Sequence, residues 1–92
     1  MVMQSGEYVR YTFVTDKCSD DLSAMLTCMA SNRLLPSTIH TSTDERAATR
    51  VVVDTEGTTD AHMHLIATGI DRRPSMRSFG YERIAPSLRE AA

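Results

Sequence analysis

The chain has only two cysteines, Cys18 and Cys28, in 92 residues, which excludes a disulfide scaffold. No apolar run approaches the length of about 18 residues that a membrane-spanning helix needs. Glycine is sparse: the four residues, at 6, 57, 69 and 80, are scattered rather than gathered into a phosphate-binding loop. Nothing resembles a nucleophile elbow or a Cys-x-x-Cys site. A basic surplus is missing too, with ten Lys+Arg against twelve Asp+Glu and a formal charge of −2. That argues against a general nucleic-acid binder. Lysine is almost absent, one against nine arginines, which we read as coding bias. The opening residues, MVMQSGEYVR, lack the basic start and apolar stretch of a signal peptide. What remains is one domain's worth of chain, 41% apolar. At this length roughly 60–65% of the extended surface is buried on folding, enough for a single two-layer core.

Residues 8–16, YVRYTFVTD, alternate, with Val9, Tyr11 and Phe13 on one side and Arg10 and Thr12 on the other. This pattern predicts a half-buried strand. Ser19 then opens a helix over 19–33, with Asp20 and Asp21 at the positive end of its dipole. Leu22, Met25, Leu26 and Met29 share one helical face. Asn32 and Arg33 fall in the last turn, and Pro36 forbids continuation. Residues 37–43, STIHTST, read as a partly exposed strand, followed by a polar turn at Asp44-Glu45. Residues 46–54, RAATRVVVD, are the strongest strand signal. Three valines in succession predict burial on both faces and a central place in a sheet.

Thr59 with Asp60 caps a second helix over 59–72, with His62, Leu65, Ile66 and Ile70 near one face and Met63 and Ala67 beside it. Pro74 ends it. Residues 75–83, SMRSFGYER, alternate again and form a final strand. The order strand, helix, strand, strand, helix, strand predicts an α+β, ferredoxin-like βαββαβ domain over 8–83. It has a four-stranded antiparallel sheet and both helices on one face. The crossover rule puts the first and third strands in the centre. Residues 1–7 and 84–92 are expected to be flexible termini.

Four constellations invite chemical readings. Asp16, Asp20 and Asp21 are oxygen donors of the kind that suit Mg²⁺ or Ca²⁺, but their spacing matches no calcium loop. Helix capping explains them, so replacing Asp20 and Asp21 by Ala should lower stability by about 0.5–1 kcal/mol. His62 and His64, two apart on a helix, diverge and lack the His-x-x-x-His spacing of zinc sites; His62 reads as a packing histidine, and His40 lies on another element. Cys18 and Cys28 lie ten residues apart, about 15 Å along a helix, beyond disulfide reach, and read as passive thiols. Arg72, Arg73, Arg77 and Arg83 suit an anionic ligand or an acidic partner, yet Asp71 and Glu82 interleave. They read as a solvated sheet edge. RNA binding on such a sheet needs aromatics on the central strands, and RVVVD in the third strand cannot stack bases. No catalytic residue, metal or cofactor is expected, and no ligand-binding residue can be named.

The element order, with Asn32-Arg33 and Pro36 before the second strand, RVVVD in the third and RRPSMRSFGYER at the end, resembles ACT-type regulatory domains over residues 8–83. Most amino-acid-binding members carry a Pro-Gly pair where the first strand meets the first helix; here the stretch is Asp16-Lys17-Cys18-Ser19-Asp20. Two ACT-like groups lack that pair. The cytoplasmic C-terminal domain of MgtC/SapB-type membrane proteins ends in a helix, a Pro, a small turn and an alternating strand closing on an aromatic and an acid. Arg73-Pro74-Ser75-Met76-Arg77-Ser78-Phe79-Gly80-Tyr81-Glu82 is similar to that. The other group is the short acetolactate synthase small subunit.

The first resemblance implies a cytoplasmic part of a bacterial inner-membrane protein linked to low-magnesium growth and survival in macrophages. Nothing in these residues transports an ion. The expected role is a non-catalytic regulatory or protein-interaction domain, acting by sheet or helix pairing, with weak self-association in isolation and no nucleic-acid partner. The alternative is a small-molecule (amino-acid) sensing subunit of a biosynthetic enzyme; the missing Pro-Gly turn favours the first. The identity of partner or effector is not legible in the sequence.

Overall fold

The computed structural model describes residues 8–44, 48–56 and 58–84. Its elements follow the expected order: β1 (Tyr8–Thr15), α1 (Cys18–Ser31), β2 (Pro36–Thr43), β3 (Thr49–Glu56), α2 (Asp60–Asp71) and β4 (Met76–Ile84). The four strands form one antiparallel sheet in the order β2-β3-β1-β4, so β1 and β3 are central. The fold is ferredoxin-like α+β. Ile84, expected in the tail, closes β4; the rest of both tails lies outside the described residues, as does the 45–47 part of the turn before β3.

Alternation along β1 produces the core. Val9, Tyr11, Phe13 and Thr15 are buried while the residues between them are half-exposed. Register sets Tyr11 opposite Val53 and Phe13 opposite Val51. These side chains meet Met25 and Met29 of α1 and Ile66 and Ile70 of α2 in one cluster, so both helices cover the same sheet face. Phe79 and Tyr81 of β4 extend the layer, with ring centroids about 6 Å from their neighbours, inside the range for offset and tilted aromatic pairs.

Three expectations need correction. Val52 is only half-buried, because it points to the sheet face that no described element covers. The valine run therefore marked a central strand without marking burial on both faces. Ser19 is not the cap of α1: the helix starts at Cys18, and Lys17 sits at the cap position with no side-chain cap bond. Leu65 points outward at 54% exposure, and the buried stripe of α2 runs through Ile66 and Ile70.

The other helix ends follow the expected chemistry. Thr59 Oγ1 accepts from the His62 N–H at 3.2 Å, capping α2 as anticipated. After α1, Arg33 adopts φ 60. Its N–H bonds the Ala30 carbonyl at 3.0 Å and the Leu34 N–H bonds the Met29 carbonyl at 2.8 Å. That pair of bonds is the Schellman pattern, and Leu34 and Met29 both belong to the core cluster.

Candidate functional site

Of the residues singled out above, Asp16, Asp20, Asp21, Arg73 and Arg77 gather in one place, where β1 runs into α1 and α2 turns into β4. Asp21 lies on the α1 face that carries Met25 and Met29, at spacings of four and eight residues. Its side chain is fully buried. Arg73 Nε donates to Asp21 Oδ1 at 2.6 Å, and Ser75 Oγ reaches Oδ1 at 2.9 Å and Oδ2 at 2.7 Å. The Thr15 hydroxyl donates to Asp21 Oδ2 and accepts from the Lys17 N–H at 2.9 Å. One carboxylate thus ties the end of β1, the first turn of α1 and the turn before β4. Burial by itself would push the Asp21 carboxyl up. Hydrogen bonds from Arg73, Thr15 and Ser75, with the charge of Arg73, outweigh it and hold the group below its ordinary value.

The capping reading of Asp21 is therefore wrong. The residue lies in the first turn of α1, as expected, but its carboxylate is the hub of a buried polar node, so its removal is expected to cost more than loss of a cap. Asp16 instead pairs with Arg77, Nε to Oδ1 at 2.6 Å, with both side chains exposed. Asp20 is exposed. Asp16, Lys17, Asp20, Arg73, Pro74 and Ser75 line an open cleft beside the node. Its polar groups are of both signs, and the Arg73 Nε and both Asp21 oxygens are already committed inside the protein.

The arginine cluster is largely the solvated edge expected: Arg72, Arg77 and Arg83 are exposed and β4 is an edge strand, but each group has a partner. Arg73 and Arg77 are paired as above, Arg83 Nη2 reaches Asp60 Oδ1 at 2.9 Å and the Thr58 carbonyl at 3.3 Å, and Arg72 Nε bonds the Thr68 carbonyl at 3.2 Å. These groups close helix and strand ends. His40 is exposed on β2, His64 is exposed on α2, and His62 is half-buried with Nδ1 lacking a partner. Cys18 and Cys28 are free and half-buried. Among the described residues no three His, Cys, Asp or Glu side chains are grouped to hold a metal.

Sequence reasoning missed one further group. On the uncovered sheet face Arg10 grips Asp54 with two bonds, Nε to Oδ1 at 2.9 Å and Nη2 to Oδ2 at 3.2 Å. Thr38 Oγ1 adds a bond to Oδ2 at 3.1 Å. Arg10 also stacks over Tyr8, 5.6 Å from the ring centroid. Glu82 lies opposite Arg10 on β4. This row crosses all four strands.

The two sheet edges are unlike. β4 carries Arg77, Glu82 and Arg83. β2, PSTIHTST, carries no Asp, Glu, Lys or Arg, and after Pro36 every residue is exposed. Ile39 is 40% exposed, and Leu35 just before the strand is 79% exposed. An uncharged, exposed edge strand is a template for another strand.

No family model and no curated protein matches this sequence. Among solved structures the chain is similar to the solution structure of the C-terminal domain of the MgtC protein from Mycobacterium tuberculosis. The TM-score is 0.75 at 11% identity, over 90% of this chain and 94% of that one. The likeness is one of fold, and it extends through almost the whole of both chains. No helix among the described residues is long and apolar enough to cross a membrane.

Proposed function

We propose that the chain is a non-catalytic regulatory and interaction domain of the MgtC C-terminal type, and that it engages its partner through the β2 edge. The observation that carries the reading is the contrast between that uncharged, open edge and the charged β4 edge. The polar clusters support it: the buried node and the Arg10–Asp54 row are spent on internal bonds, so neither has the look of a reaction centre. The fold likeness supports the MgtC type. With it comes the proposed setting, a domain on the cytoplasmic side of a bacterial inner membrane in a protein tied to magnesium limitation and virulence.

The test places a photo-cross-linking amino acid at position 39, or at Ser78 on β4, in the full-length protein in its own cell. The reading expects cross-links from position 39 well above those from position 78. Equal or absent cross-linking at position 39 would overturn it.

A further inference from the structure

We infer that the occupant of the β2 edge is an extended segment of a different protein, uncharged, with large apolar side chains at alternate positions, seated in a trough between β2 and the outer flank of α1. This deepens the interaction reading above and rests on it.

The trough follows from the faces of α1. At about 100° per residue, Met25 and Met29 face the sheet, Ala24 and Cys28 turn to one flank, and Leu22, Leu26 and Ala30 turn to the other. Cys28 is among the groups acting on the Tyr11 hydroxyl of β1, so its flank faces β1 and α2. The strand order β2-β3-β1-β4 then places the opposite flank on the β2 side. Ser19, Leu22, Ser23, Leu26, Thr27 and Ala30 line one open groove along that flank, where Leu22 and Leu26 are only half-buried. On β2, Ile39, Thr41 and Thr43 share the helix side of the sheet, since they pair with the buried Val53, Val51 and Thr49. All three are nevertheless exposed, so α1 leaves this side of β2 open.

Neither wall carries charge. Residues 22–32 and 34–43 contain no Asp, Glu, Lys or Arg. A charged side chain laid in the trough would lose water with no counter-charge to meet it. Apolar side chains there would instead take Leu22, Leu26 and Ile39 out of water. The backbone of β2 fixes the conformation of the occupant. Its outward N–H and C=O groups are met by a strand, whereas a helix has spent its own on itself. Every second side chain of that strand falls on the helix side, about 7 Å apart. The groove from Ser19 to Ala30 runs about 16 Å, so it takes about two or three of them. The intervening side chains lie beside Thr38, His40 and Ser42, where polar residues fit.

The β2 strand of a second copy answers this description poorly. On its helix side it brings one isoleucine and two threonines, where the trough accepts an apolar side chain at every such position.

The test is a titration of the 92-residue chain, followed by amide and methyl shifts. The probe is a blocked peptide of alternating Leu and Thr with one Lys at each end for solubility. A matched peptide with Glu in place of each Leu is the control. The expected result is saturable binding at about 1 mM or tighter, with shifts at Leu22, Leu26 and Ile39, and none from the Glu peptide. Ser23→Glu and Thr41→Lys, both at exposed positions, should each weaken it about tenfold or more. Ser78→Lys on β4 should leave it unchanged. Amide spectra confirm that each variant is folded. No binding of the Leu peptide, equal binding of both peptides, or indifference to Ser23→Glu overturns the inference. The species cross-linked at position 39 in the cell separates the two claims. A different protein, caught within an alternating apolar segment, supports both. A second copy of the chain, or a different protein caught within any other kind of segment, overturns the trough occupant and leaves the interaction reading standing. No product overturns both.

Discussion

Asp21 carries the largest single consequence for stability. Removing its carboxylate leaves Arg73, Ser75 and Thr15 without their common acceptor in a buried place. Asp21→Ala should cost about 3 kcal/mol, several times the expectation for a helix cap, and Asp20→Ala under about 0.5 kcal/mol; chemical denaturation of the two single variants checks the contrast. Tyr11 is the opposite case. Its hydroxyl is buried without a partner, and burial, then the neighbouring Tyr81, push its pKa up to about 12. Tyr11→Phe removes the orphaned group and should raise stability by about 1 kcal/mol, seen as a higher denaturation midpoint with an unchanged slope. Arg33 holds a left-handed conformation that costs a side-chain-bearing residue about 1 kcal/mol. Arg33→Gly should recover a few tenths to about 1 kcal/mol after the extra chain entropy of glycine, measured the same way.

At the scale of elements, Thr59 is the cap whose loss should be felt at one helix only. Thr59→Ala should lower stability by about 1 kcal/mol and speed amide exchange first in residues 60–63. That cap was legible because Thr followed by Asp before an apolar run has a local cause. Element order and both helices were legible for the same reason, since alternation and helical spacing are written in neighbouring residues, and the central place of β1 and β3 followed from that order by the crossover rule. The burial of Asp21 was legible in principle: it shares the spacing of Met25 and Met29, and only its charge led to the capping reading. Its partners were not, because Arg73 and Ser75 lie more than fifty residues away in sequence. The Arg10–Asp54 pair needs the register of β1 on β3, which no local pattern states. Leu65 misled because apolar spacing alone cannot tell the inward flank of a helical stripe from the outward one.

Across the whole molecule, charge is spent on closing the fold and one edge is left plain. Acid should expose the first of these. The Asp21 carboxyl is held below its ordinary value of 3.8, so the unfolded chain binds its proton first. Its contribution to stability is present above about pH 4 and is lost as the pH falls through the depressed folded value. Asp21→Asn should therefore flatten the acid limb of the stability profile, as read by urea denaturation at a series of pH values. Tyr11 acts at the other end. Its folded pKa lies above the unfolded value, so stability should fall as the pH rises from about 10 towards 12, and Tyr11→Phe should remove that part of the alkaline slope.

The plain edge is the functional side of the account, and amide hydrogen exchange tests it most directly. Exchange is measured along the isolated domain and along the same residues in the full-length assembled protein. The account predicts that the amides of residues 37–43 that do not bond β3 exchange readily in the isolated domain and become protected on assembly, while the cleft lined by Asp16, Lys17, Asp20, Arg73, Pro74 and Ser75 stays as it was. Protection confined to that cleft, with β2 unchanged, would contradict it and point to small-molecule sensing instead.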